Sequence, residues 1–131
     1  MRSLSAHAQI APEPPDLDPA RPPAALPQPG ERAGLRLVDE ELADVSLANV
    51  DARGAELRRV VLRRCRLTGL LLTEGRLRDV VVAESRVDLA SFAACTIEQV
   101  VFEDCRLEGS SFQEARLRRC ASTAATSARP T

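Results

Sequence analysis

Tryptophan and tyrosine are missing from this 131-residue chain, no lysine appears in it, and histidine occurs once. With only three Phe, the interior must be filled by aliphatic and small residues, although apolar residues make up 44% of the chain. That combination suits a narrow core. The single imidazole, His7, sits in a proline-rich stretch where nothing holds it against a base or a nucleophile. Serines such as Ser46, Ser91 and Ser111 therefore have no histidine to activate them, and no glycine-rich phosphate loop occurs. No apolar run reaches the roughly 18 residues that cross a bilayer, and MRSLSAHAQIAPEPP lacks the apolar stretch of about 7 to 15 residues of an export signal. The expectation is a cytoplasmic protein with no catalytic activity, no cofactor and no membrane contact. All eighteen basic residues are arginine, which fits a codon bias as readily as a demand for guanidinium chemistry.

What the chain has is a period. From Leu35 to Arg119 it divides into seventeen consecutive five-residue units without insertion, and the middle residue of sixteen is Leu, Ile, Val or Phe; Ala52 is the other. A helix needs apolar returns at 3 and 4 residues and a strand needs alternation, so five fits neither. A short fixed period marks a solenoid, whose units bury their apolar sides only by stacking. Two residues before each centre stands a small or apolar residue, such as Ala55, Cys65, Gly75, Ser85 or Cys105, with Glu40 the clear exception. Positions two apart on an extended segment share a face, so centre and slot are predicted to point inward together.

Units such as AELRR, CRLTG, CRLEG and ARLRR resemble the pentapeptide repeat family, whose loose signature is Ala, Asp or Asn, Leu and two free positions. The resemblance implies an all-β fold, a right-handed, quadrilateral parallel β-helix with one unit per side, twenty residues per coil and about four coils. The family's Asp or Asn before the centre survives here only as Asp51. A twenty-residue coil predicts stacked columns, and opposite charges do meet at that spacing, in the columns Asp44, Arg64, Glu84 and Asp104; Asp39, Arg59 and Asp79; Arg36, Glu56 and Arg76. Phe92 and Phe112 stack on the same rule. The domain reading is a Pro-rich disordered arm over 1–34, the repeat β-helix over 35–120 and a short loose tail over 121–131, the arm holding eight of the nine prolines.

Four cysteines, Cys65, Cys95, Cys105 and Cys120, all fall in the inward slot at spacings of 30, 10 and 15, without a CxxC pair. No metal site or disulfide is expected, only buried thiols acting as small hydrophobes. Arg53, Arg58, Arg59, Arg63, Arg64 and Arg66 form a basic cluster in the linear sequence, but four sides disperse it into a belt, and no aromatic residue stands nearby to stack bases. Nucleic acid is not an expected partner. A column of one sign, Arg66, Arg86 and Arg106, is a candidate anion stripe. Val61, Val81 and Val101 recur twenty apart just before their centres and should form an outward apolar stripe rimmed by Arg63 and Glu103. It serves either as strand filling or as a contact for another protein or a second copy.

The first reading is a protein-binding or scaffold module; the alternative is a DNA-mimicking modulator of DNA gyrase or another type II topoisomerase, an activity the family resemblance implies. Against mimicry, the repeat carries fifteen acids and fourteen arginines, and only the band Glu98, Glu103, Asp104, Glu108 and Glu114 is acidic. The resemblance also implies that a dimer can join through the C-terminal coil. The alternative is that residues 120–131 fold over that end.

Overall fold

The computed structural model describes residues 11–20, 26–28 and 34–123. Five parallel strands follow one another in a single sheet, β1 Arg36–Ala43, β2 Glu56–Arg63, β3 Arg76–Ala83, β4 Thr96–Glu103 and β5 Arg116–Thr123, in the order β1-β2-β3-β4-β5. Each residue pairs with the one twenty further on: Leu37 with Leu57, Leu57 with Leu77, Leu77 with Ile97 and Ile97 with Leu117. The chain therefore rises by one strand spacing every four units, which makes a solenoid of about four turns. β5 runs to Thr123, three residues past the boundary expected at 120.

The corners explain the period of five. All seventeen fifth residues of the units have positive φ: fourteen are side-chain-bearing, from Asp39 to Arg119, and three are Gly54, Gly69 and Gly109. One left-handed residue after each short extended segment turns the chain, and four such turns close a coil. Each strand therefore spans two sides and bends in its middle, and the pairing skips the bend residues Asp39, Arg59, Asp79 and Gln99. The first side carries the centres Leu37, Leu57, Leu77, Ile97 and Leu117, and the second carries Leu42, Leu62, Val82 and Phe102. The third and fourth sides are too short for named strands but are stitched by single parallel bridges, Ser46–Arg66–Arg86–Arg106 and Asp51–Leu71–Ser91–Ser111. Around them run β-turn bonds such as Gly75 N–H to Leu72 C=O at 2.7 Å and Ala55 N–H to Ala52 C=O at 3.0 Å.

Centres and slots point into the tube as the frame predicts. Leu67, Leu72, Leu77, Val82, Val87, Phe92 and Ile97 are buried, as are the slot residues Val50, Ala55, Val60, Cys65, Val80, Ala90, Cys95, Val100 and Cys105. The void inside, lined by Leu47, Leu57, Leu67, Leu77 and Phe92 among others, is about 10 Å³, at the lower limit for a single water. Phe92 and Phe112 stack at 4.8 Å and 4°, and Phe102 meets Phe92 edge-on at 5.9 Å from the facing side. The burial weakens at the ends. Leu42 and Val45 in the first coil, and Leu107 and Phe112 in the last, are only partly buried, and Leu117 is 52% exposed, because an end coil has a neighbour on one face only.

The slot has a second requirement that the apolar pattern hides. A hydroxyl or thiol there donates to the centre carbonyl 23 residues earlier: Cys95 Sγ to Leu72 C=O at 2.9 Å, Cys105 Sγ to Val82 C=O at 3.1 Å, and Ser110 Oγ to Val87 C=O. Ser110 Oγ also accepts from Ala90 N–H at 3.2 Å, so it bridges a corner whose own turn bond is missing. Ser85 likewise takes Cys65 N–H at 3.0 Å and donates to Ala83 C=O at 2.8 Å. Each bond satisfies a backbone group inside a dry tube, where an unpaired one would cost about 1 to 3 kcal/mol.

Two expected outcomes follow for stability. Leu77→Asp places an unpaired carboxylate in the tube and removes more than about 4 kcal/mol, read as loss of the cooperative transition in a thermal melt monitored by circular dichroism. Leu89→Gly acts in the other direction. Leu89 is 63% exposed and left-handed, with φ of 58°. Relief of roughly 1 to 2 kcal/mol of corner strain outweighs the extra freedom of glycine in the unfolded chain, for a net gain of about 0.5 to 1 kcal/mol in urea unfolding.

Candidate interaction surface

Three of the five residues in each unit face outward, so the surface consists of columns in which every side chain has neighbours twenty residues before and after it. The charge columns read from the sequence form in part. Arg59 makes a bidentate pair with Asp39 at 2.5 and 2.8 Å, and this bond raises the Arg59 pKa. Arg64 binds Asp44 at 3.0 Å and reaches Glu84 at 4.0 Å, and its hydrogen bond holds the Asp44 carboxyl below the usual range. Arg36 meets Glu56 at 3.3 Å. Asp79 pairs with its chain neighbour Arg78 at 3.8 Å and not with Arg59. Of the basic belt, Arg53, Arg59, Arg63 and Arg64 are occupied by Asp51, Asp39, Glu41 and Asp44. Dispersal onto four sides places each beside a carboxylate.

Arg66, Arg86 and Arg106 do stand in one column, bridged in parallel and exposed on the third side. Among the described residues none of the three is in an ion pair. A parallel column two residues along holds Thr68, Asp88 and Glu108, with Thr68 Oγ1 donating to Asp88 at 2.7 Å, so the stripe is flanked by acid.

The valine column also exists in register, Val61 pairing with Val81 and Val81 with Val101. It is not an evenly exposed stripe. Val61 and Val81 are half-buried, and Val101 retains only 2% of its surface even though the alternation Val100, Val101, Phe102 turns it away from the tube. Ala121 continues the column below Val101, and Ala83 stands between Arg63 and Glu103 on the rim. The sequence reading missed both alanines; the signal was the same spacing of twenty. It also missed the broad shallow depression of the first side, lined by Glu56, Arg58, Arg76, Arg78, Thr96 and Glu98.

All four cysteines are free thiols, with Cys65, Cys95 and Cys105 buried and Cys120 half-buried. Burial raises the pKa of each, and that of Cys105 reaches about 11. Neutral thiols donating to carbonyls are poor nucleophiles and poor ligands. Among the described residues, no three His, Cys, Asp or Glu side chains come together as a metal site.

The thiols give the fold an alkaline limit. Below pH 9 folded and unfolded chains both keep these protons, so stability does not change on their account. Above pH 9 the unfolded chain releases protons that the folded chain retains, so stability falls as pH rises, over the widest window for Cys105, until about pH 11. Urea midpoints measured from pH 8 to 11 should decline in this way, and Cys105→Ala should flatten the decline.

A family model for the pentapeptide repeat region matches residues 55–123. No match to the chain was found among curated proteins or among solved structures. The matched span is more than half of the chain and takes in every coil after the first, whose slot residue Glu40 is the one least like the repeat. Together with the twenty-residue register and a corner at every fifth residue, it shows that this chain belongs to the pentapeptide repeat family.

Proposed function

We propose that this chain is a non-enzymatic protein-binding or scaffold module, working in the cytoplasm. The observation that carries this reading is the combination of a filled tube with outward side chains held at fixed spacing on four sides. Such a rod has no room for a substrate inside and presents its chemistry as ordered columns. Four cysteines kept as thiols suit a reducing compartment. Among the described residues no helix is long and apolar enough to cross a membrane.

The partner this reading favours is another protein or a second copy of the chain. Two apolar regions support it: the column Val61, Val81 and Val101, rimmed by Arg63 and Glu103, and the last coil, where Leu117 is exposed and Leu107 and Phe112 are partly covered. The column alone offers less than about 300 Å², short of the roughly 800 Å² per partner of a standard interface, so the C-terminal coil is the stronger half of a homodimer contact. The column Arg66, Arg86 and Arg106 provides an anion-binding flank for an acidic partner. A DNA-mimicking role on DNA gyrase or another type II topoisomerase is the second reading, favoured only by the band Glu98, Glu103, Asp104, Glu108 and Glu114.

Val81→Arg tests the first reading. The half-buried side chain lies outside the tube, so the variant keeps the wild-type melting temperature within about 2 °C while self-association in sedimentation equilibrium weakens at least tenfold. Leu117→Arg does the same through the end coil. A wild-type chain that is monomeric at all concentrations, or association untouched by both changes, removes the second copy as partner. Inhibition of gyrase supercoiling at micromolar protein would replace the scaffold reading with the mimicry reading.

A further inference from the structure

The Pro-rich arm was expected to be loose, yet its described pieces are seated on the solenoid. Glu13 N–H donates to Asp79 Oδ1 at 2.9 Å, and Asp16 N–H donates to Asp39 Oδ1 at 3.0 Å. Further along, Leu26 packs against the core cluster. The path runs from the third coil to the first, across the strands and along the corner between the first and second sides.

The spacing of these two bonds is informative. Asp39 and Asp79 are two coils apart, or about 9.6 Å at ordinary strand spacing. Three residues of polyproline II rise about 9.3 Å and complete one turn, so residues 13 and 16 present their N–H groups on the same face at the same distance. Pro12 and Pro15 obey the same period, since both are half-buried while Ala11, Glu13, Pro14 and Asp16 are exposed. Between the two aspartates stands Arg59, clamped to Asp39, with the charges of Glu13 and Asp16 acting on it. A cation set between two acceptors offsets part of the repulsion between the acidic arm and the acidic pair.

We propose that the Asp39–Arg59–Asp79 corner is a binding site for a polyproline II segment, and that its resident occupant is this chain's own Pro12–Asp16, docked in cis. The ligand class is an extended peptide in which a proline is followed by an acidic residue with a free amide, twice, three residues apart, as in the PEPPD of this arm. The site is independent of the valine column and of the scaffold reading.

Amide hydrogen exchange followed by NMR on the full chain tests the proposal. Glu13 and Asp16 should exchange about tenfold more slowly than Leu17 and Asp18, as expected of amides held by a charge-assisted bond. Asp39→Gly with Asp79→Gly should abolish that difference while protection in β2 to β4 is unchanged, because glycine already occupies equivalent corners at Gly54, Gly69 and Gly109. Protection must also be independent of protein concentration. A dependence on concentration would show the arm docking on a second copy and overturn the cis occupancy. Equal exchange at residues 13, 16, 17 and 18 would overturn the site. In the full-length variant Pro12→Ser with Pro15→Ser, a synthetic peptide of residues 10–19 at millimolar concentration should shift the amide signals of Asp39, Arg59 and Asp79, and no shift at those signals would overturn the ligand class.

Discussion

The left-handed residue at every fifth position is the constraint on which everything else in this molecule rests. Extended segments alone would give a flat sheet, and a sheet of this composition would have no second layer to cover it. A turn after every short segment lets the backbone enclose its own core, so the inward positions shrink to a centre and a slot. The energetic cost is real, because fourteen of the seventeen corners carry a side chain in a region that L-residues avoid. It is offset by stacking, since each added coil buries about eight side chains and completes the backbone bonds of the coil before it. Interior coils are therefore well determined and end coils are not, which is why Leu42 and Leu117 obey the sequence pattern yet stay partly or largely exposed.

That arrangement separates core from surface more completely than a globular fold does. The tube is filled by Leu, Val, Ile and Phe at the centres and by small residues at the slots, and a hydroxyl or thiol in a slot reaches back to a carbonyl one coil away. The interior thiols Cys65, Cys95 and Cys105 have raised pKa values and donate to backbone carbonyls. Apart from the left-handed corners, the outward residues meet weaker packing demands than the inward ones, so any recognition the protein performs is written in side chains whose positions the backbone sets but whose identities it mostly does not.

Much of this was legible in the sequence, and the parts that were not have identifiable reasons. The frame gave centres, slots, the twenty-residue stacking of Phe92 on Phe112 and the pairing of Arg64 with Asp44, because a strict period carries position as well as pattern. The corners were missed, although a signal was present: the fifth position holds Asp, Asn, Gly, Glu, Gln, Arg, Ala and Leu but never Val, Ile, Thr or Phe, the residues least tolerant of positive φ. The cysteines and serines of the slots looked like small hydrophobes, since a bond spanning 23 residues leaves no local motif. The seating of Pro12 and Pro15 could not be read from the arm alone, because its register is set by the coil spacing of a different segment. The depth of Val101 was missed as well, since alternation gives direction and not cover.

The alternation of charge along the Asp39 column sets how such a molecule can change length without disturbing it. Its backbone repeats every coil, but the sequence Asp39, Arg59, Asp79 repeats only every second coil. Duplicating one coil within the rod would leave every hydrogen bond and every core contact in register while placing like charges beside one another. Duplicating two coils would preserve both. For the interior the unit of growth is twenty residues, whereas for the Asp39 column it is forty, so an enlarged relative of this solenoid that kept that column's pattern would be longer by coils in pairs.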